Sequence, residues 1–176
     1  MTVPWQTAFG AVLLSGERKW LKNAASRAAK QFKSPVIVNI GVFQYASMYC
    51  LRAGAPEARL VGVDVTKGSV KVHPELQAEF TWGDSRVVHT VFKAPIHLLF
   101  IDGDHRYATV KADIANWVSK IVPGGVVAFH DYAPLRKHLV KHKLQGIRRA
   151  VNEWAAKAKW KRLPAVGSLA AFQMPG

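Results

Sequence analysis

The sequence predicts an α/β fold, an open and largely parallel sheet with helices on both faces. Three observations carry that expectation. Short apolar runs rich in β-branched residues recur along the chain without in/out alternation, as strands covered on both faces do. Helix-periodic stretches lie between them, and each run stops at a glycine or a polar corner. The chain has 176 residues, the length of one domain.

The first element is helical. Trp20, Leu21, Ala24, Ala25, Ala28 and Phe32 recur at three- and four-residue steps, while Lys19, Lys22, Arg27 and Lys30 lie largely off that stripe. Ser34-Pro35 then punctuates. Residues 1–34 read as an N-terminal helical segment and 35–176 as the core of the same single domain. Val36–Ile40 ends in Gly41, Leu60–Val63 in Asp64, Phe80–Trp82 in Gly83-Asp84-Ser85, Ile96–Ile101 in Asp102-Gly103-Asp104-His105, and Val126–Phe129 in His130-Asp131. Between the last two runs, Val110, Ile114, Trp117, Val118 and Ile121 form a helical stripe stopped by Pro123-Gly124-Gly125. Ile147, Val151, Trp154, Ala155 and Ala158 repeat the spacing after Gly146. Two further runs, Lys161–Val166 and Leu169–Met174, meet at Gly167-Ser168 and predict a terminal hairpin.

Composition narrows the class. Hydrophobic residues make up 49% of the chain, enough for a packed core and too many for disorder. The single Cys50 excludes an internal disulfide and a cysteine-based zinc cluster. No apolar run approaches the ~20 residues of a membrane span, and Ala8–Ser15 lacks the basic flank of a signal peptide, so a cytoplasmic protein is expected. Lys+Arg 25 against Asp+Glu 11 gives a formal charge of +14, which favours anionic contacts.

Ligands of an open α/β sheet bind outside the carboxyl ends of the strands. In this basic chain those corners hold Asp64, Asp84, Asp102, Asp104 and Asp131. Asp64 follows the Gly41 corner by about twenty residues, the offset of a carboxylate that binds ribose hydroxyls; the alternative is a strand-end cap. The Gly41 corner lacks the GxGxxG cradle, which suits a nucleoside without a pyrophosphate. Asp102, His130 and Asp131 end neighbouring runs, and two carboxylates with an imidazole suit Mg²⁺ or Mn²⁺. The alternative is that both acids cap helix starts. Asp104 or His105 stands where a general base would reach a substrate hydroxyl.

Ile101 to His105 with Tyr107, Asp113, Pro123 to Gly125, and His130 to Tyr132 form a pattern. It resembles the class I S-adenosylmethionine-dependent methyltransferases, closest to a small bacterial group with that signature. The resemblance implies a Rossmann-like seven-stranded sheet ordered 3-2-1-4-5-7-6, with strand 7 antiparallel. It also implies that the Gly41 corner, with Asn39 and Ser47, lines the methionine part of the cofactor. Asp64 then holds the ribose, Asp84 and Ser85 flank the adenine, and Asp102 is both a cofactor contact and, with His130 and Asp131, a metal ligand. The family usually carries an acid where Asn39 stands and a glycine where Tyr45 stands. Asn39 keeps hydrogen-bonding capacity without charge. The Tyr45 ring must either turn away or partly block the methionine site.

The activity so implied is methyl transfer to an oxygen of a small or anionic acceptor, metal-assisted in some relatives, with Asp104 or His105 as base. A different class of function stays open: a catalytically degenerate scaffold binding nucleic acid or another polyanion. Arg136, Lys137, His138, Lys141, His142 and Lys143 crowd one stretch. Arg148, Arg149, Lys157, Lys159, Lys161 and Arg162 continue the charge. Such a stripe would bind phosphate with steep salt dependence, or merely solvate a face.

Overall fold

A computed structural model describes residues 13–67, 74–133 and 145–176. Helix and strand alternate as α1 (Ser15–Gln31), β1 (Val36–Ile40), α2 (Ala46–Gly54), β2 (Arg59–Asp64), β3 (Glu79–Trp82), α3 (Ser85–Val91) and β4 (Ile96–Ile101). Then come α4 (Tyr107–Trp117), β5 (Ile121–Phe129), α5 (Gln145–Ala158), β6 (Lys161–Leu163) and β7 (Ala170–Gln173). The seven strands form one sheet in the order β3-β2-β1-β4-β5-β7-β6. Strands β1 to β5 pair parallel, and β7 runs antiparallel to both β5 and β6. That is the expected class I methyltransferase sheet.

Pleating sends alternate side chains to opposite faces. Ile37, Leu60, Leu98 and Phe100 pack with Trp20, Leu21 and Ala24 of α1 and Met48 and Leu51 of α2. Val38, Val61, Leu99 and Ile101 pack on the other face with Val88 of α3, Ile114 and Trp117 of α4, and Ile147 and Val151 of α5. Burial on both faces explains the unbroken apolar runs of the sequence. Gly54 lets the first two helices close: a Cβ there would sit 2.1 Å from the Lys22 carbonyl oxygen.

The boundaries differ from expectation in two places. Helix α4 ends at Trp117 in a 3-10 turn, Val118–Lys120, so Ile121 begins β5 instead of extending the helix. Pro123-Gly124-Gly125 therefore lies inside β5. The register between β4 and β5 shifts between Ile96 and Leu98, and Gly124 takes φ +77, which lets the strand absorb a proline that cannot donate to the ladder. The terminal hairpin is present, with shorter strands than the sequence runs suggest and Gly167 at φ +62 in the turn. Among the described residues no helix is long and apolar enough to cross a membrane. The basic cluster Arg136, Lys137, His138, Lys141, His142 and Lys143 lies outside the described residues.

Candidate active site

The carboxyl ends of β1, β2, β3 and β4 open onto one cleft of about 380 Å³, lined among others by Gly41, Asp64, Asp84, Ser85, Asp102 and Asp113. Four corners far apart in sequence therefore share one space. Gly41 takes φ +82, and a Cβ there would lie 2.1 Å from the Asp102 carbonyl oxygen. The residue must be glycine because two strand ends meet there, backbone against backbone.

Asp64 faces this cleft and also builds its wall. Its Oδ2 accepts from the backbone N–H groups of Val42 (2.8 Å) and Phe43 (3.1 Å), and Oδ1 accepts from Thr66 N–H at 3.2 Å. The backbone-capping role expected as the alternative is present, on a carboxylate that also lines the cleft. The loop it holds is bent: Phe43 and Tyr45 both have positive φ, at 38° and 66°. Tyr45 takes the left-handed backbone a glycine would take there, but its ring turns away from the cleft. It is fully buried on the α1/α2 face, edge-on to Phe80 at 5.4 Å. The ring does not block the cleft. Among the described residues its hydroxyl has no hydrogen-bond partner, nor has Asn39 Oδ1, while Asn39 Nδ2 donates to the Gly41 carbonyl at 2.9 Å. Ser47 is buried at the start of α2, beside a space of only about 20 Å³ that Leu13, Gly41 and Asp102 also line.

At the other end of the cleft, Asp84 caps α3 by accepting from Arg86 N–H, and its pairing with the Arg86 side chain holds its pKa down at about 2. Ser85 points inward and donates to Asp113 Oδ1 at 2.5 Å. Burial pushes the Asp113 pKa up to about 6, against the pull of that hydrogen bond.

The β4 and β5 corners converge on a chain of ionisable groups. His130 Nδ1 lies 3.0 Å from Asp102 Oδ1 and 3.4 Å from Asp131 Oδ2, and its Nε2 lies 3.2 Å from Glu17 Oε2. Burial alone would lower the His130 pKa; the carboxylates of Asp102, Asp131 and Glu17 instead raise it to about 12. His130 stands between carboxylates, with both ring nitrogens facing them. His105 Nε2 lies 3.3 Å from Asp131 Oδ2, and Asp102, His105 and Asp131 each present one donor atom, all within 4.8 Å of one another. The Asp131 partnership raises the His105 pKa, although burial opposes it.

Asp104 does not join this group. Its Oδ1 accepts from Arg106 N–H, and Oδ2 from Thr109 Oγ1 and Arg106 Nε, at 3.1, 2.8 and 2.5 Å. These bonds outweigh its burial and lower its pKa, and they tie Asp104 to the start of α4. Asp102 and Asp131 face imidazoles, while Asp104 folds back on the start of α4. A second, larger groove of about 720 Å³ adjoins the cleft through Gly103, Asp104 and Arg106, and adds His105 and Arg149. Gly146 seats α5 beside it: a Cβ would lie 2.4 Å from the His105 carbonyl oxygen.

Glu17 carries no sequence motif. The signal was available nonetheless: it is the one acid of α1, and it falls on the buried stripe one turn before Leu21. Of the basic candidates, Arg149 stacks on Tyr107 at 4.3 Å and pairs with Glu153, and Arg148 is exposed. Trp160, at the end of the basic stretch, packs edge-on against Trp154 at 5.3 Å.

Residues 38–132 match the family described as "Methyltransferase domain". The chain belongs to that methyltransferase family. Solved methyltransferases share its fold. The O-methyltransferase TomG from Streptomyces achromogenes, in complex with S-adenosylmethionine, superposes with TM-score 0.70 at 18% identity over 94% of this chain and 82% of that one. An O-methyltransferase from Bacillus cereus, in complex with S-adenosylhomocysteine, gives TM-score 0.63 at 16% identity over 95% and 83%. The MycE methyltransferase, in complex with Mg, S-adenosylhomocysteine and mycinamycin VI, gives 0.60 at 16% over 92% and 56%. A stretch of 43 residues is 49% identical to the uncharacterized protein y4gI of Sinorhizobium fredii, which covers 24% of this chain and only 5% of that protein.

Proposed function

We propose that this methyltransferase moves a methyl group from S-adenosylmethionine to an oxygen of a small acceptor. One observation carries the reading: a cleft of about 380 Å³ lined by Gly41, Asp64, Asp84 and Asp102 adjoins a groove of about 720 Å³ that includes His105. Donor and acceptor sites that abut at Gly103-Asp104 suit a direct transfer between two bound molecules. The solved relatives named above hold the donor or its product in the same fold, and MycE holds a small-molecule acceptor.

The residues fit the donor. Asp64 lines the cleft with lone pairs to spare for ribose hydroxyls, and the buried, unpartnered Asn39 Oδ1 offers an acceptor at the end of β1. Bound there, S-adenosylmethionine supplies an electrophilic methyl on a sulfonium. The protein aligns the acceptor and removes its proton. With Nε2 donating to Asp131, His105 has Nδ1 left to take that proton, and the carboxylate of Asp131 stabilises the imidazolium that results. Arg106 and Arg149 line the groove and favour an acceptor bearing an acidic group.

A second reading of the same rim is favoured by its donor set. Asp102, His105 and Asp131 would hold Mg²⁺ or Mn²⁺, and such an ion lowers the pKa of a bound hydroxyl. His105 is then a ligand and not the base. Calorimetry separates these readings. S-adenosylhomocysteine is expected to bind one per chain, and Mn²⁺ to bind wild type but not His105→Ala if the rim is a cation site. No binding of S-adenosylhomocysteine, with or without Mn²⁺, overturns the methyl-transfer reading.

A further inference from the structure

Glu17 is a buried carboxylate with no part in the reaction outlined above, and it is the point from which two hydrogen-bonded routes reach the rim. It is 1% exposed. Oε2 accepts from Leu14 N–H at 2.8 Å, closing the first turn of α1, and also faces His130 Nε2. Oε1 accepts from both the N–H and the hydroxyl of Ser168, each at 2.8 Å. A helix-capping glutamate needs only the first of these contacts; the bonds to Ser168 and the approach to His130 go beyond capping.

The two routes end on one residue. The first crosses the His130 ring, whose far edge holds Asp102 at 3.0 Å and Asp131 at 3.4 Å. The second passes through Ser168, whose hydroxyl donates to Glu17 and accepts from Asp131 N–H at 3.2 Å. Asp131 has φ +53, a left-handed backbone that asparagine and aspartate adopt more readily than most residues. Ser168 holds the Asp131 N–H in that conformation, and Glu17 holds Ser168. The chain is shaped for this approach: Gly167 has φ +62, and a Cβ there would lie 2.4 Å from Glu17 Oε1.

We propose that Glu17 is a positioning residue of the acceptor rim, holding Asp131 and Asp102 in place through His130 and Ser168. The inference rests on the reading of Asp102, His105 and Asp131 as the rim, and it adds an N-terminal residue that touches none of the reacting groups.

The test uses the full chain and three variants. Glu17→Gln keeps an oxygen for Ser168 but turns an NH₂ toward His130, so it cuts the first route. Ser168→Ala cuts the second and is the milder change should Glu17→Gln fold poorly. Glu17→Asp keeps the charge on a shorter arm and is the conservative rescue. Calorimetry with Mn²⁺ alone and with S-adenosylhomocysteine alone gives separate readouts of rim and cleft. Glu17→Gln and Ser168→Ala are expected to weaken Mn²⁺ at least tenfold, leave S-adenosylhomocysteine within twofold, and recover part of the Mn²⁺ affinity in Glu17→Asp. Equal losses for both probes indicate a merely structural role and overturn the proposal, as does unchanged Mn²⁺ affinity. If wild type binds no Mn²⁺, the cation reading of the rim fails. A crystal structure of Glu17→Gln then decides: an unmoved His130 ring and Asp131 backbone overturn the positioning role, and a displaced ring upholds it.

Discussion

Gly41 and Asp102 meet backbone to backbone, so closely that a Cβ on Gly41 would stand 2.1 Å from the Asp102 carbonyl oxygen. The contact joins the ends of β1 and β4, where the proposed donor and acceptor sites adjoin. Neither partner can yield, because Gly41 N–H donates to Val63 O at 2.8 Å and Asp102 N–H to Ile40 O at 2.8 Å.

Gly41→Ala is therefore expected to cost more than ~2 kcal/mol, combining a backbone clash with a left-handed φ. Urea denaturation measures it. A loss below ~0.5 kcal/mol would mean that the two corners are not locked together.

Asp64→Ala removes the acceptor of three backbone N–H groups as well as the proposed ribose ligand. Stability should fall by about 1–3 kcal/mol, the cost of leaving such groups unpaired. Affinity for S-adenosylhomocysteine should fall at least ~10-fold, or about 1.4 kcal/mol. Asp64→Asn keeps an acceptor oxygen and should regain part of the stability first. Calorimetry and thermal melts on both variants separate the two roles.

Tyr45→Phe should stabilise the protein by up to ~1 kcal/mol, since the deleted hydroxyl is buried without a partner. Tyr45→Gly suits the backbone at φ +66 but empties a fully buried ring site, so it is expected to destabilise by ~3 kcal/mol or more. A more stable glycine variant in denaturation would show that strain at this position outweighs packing.

Asp113 makes stability depend on pH in the direction opposite to most carboxylates. Its folded pKa of about 6 lies above the ordinary 3.8, so the folded chain keeps this proton after the unfolded chain has lost it. Its contribution therefore declines as pH rises from about 4 to about 6 and is level above that. Asp113→Asn keeps an acceptor for the Ser85 hydroxyl and removes the titration. The variant should gain on the order of 2–3 kcal/mol relative to wild type between pH 4 and pH 7. Denaturation midpoints across that range measure the gain; a pH-independent difference would place the Asp113 charge in solvent.

The corners were legible because strands buried on both faces must end where polarity begins. Every run found in the sequence is a strand of the sheet, and Asp64, Asp84, Asp102 and Asp131 stand within two residues of a strand end. Which carboxylate does what was less legible. Asp104 and His105 are neighbours, yet one folds back on α4 and the other reaches Asp131, a choice made by Thr109 and Arg106. The second partner of His130, Glu17, is 113 residues away, and no spacing in the sequence announces it. Sequence left the Tyr45 ring two places, because it does not show that Phe80, on another strand, gives the ring a position in the core.

The stretch that matches the family runs from residue 38 to residue 132, whereas Glu17 and Ser168 lie on either side of it. A fragment cut to that stretch would retain all five acids of the strand ends and lose both supports beneath them. It would also lack β7 and leave β5 with an open edge. Exchanging only the two terminal segments with those of a relative offers a route to retune the chemistry from behind, without altering any side chain that lines the cleft.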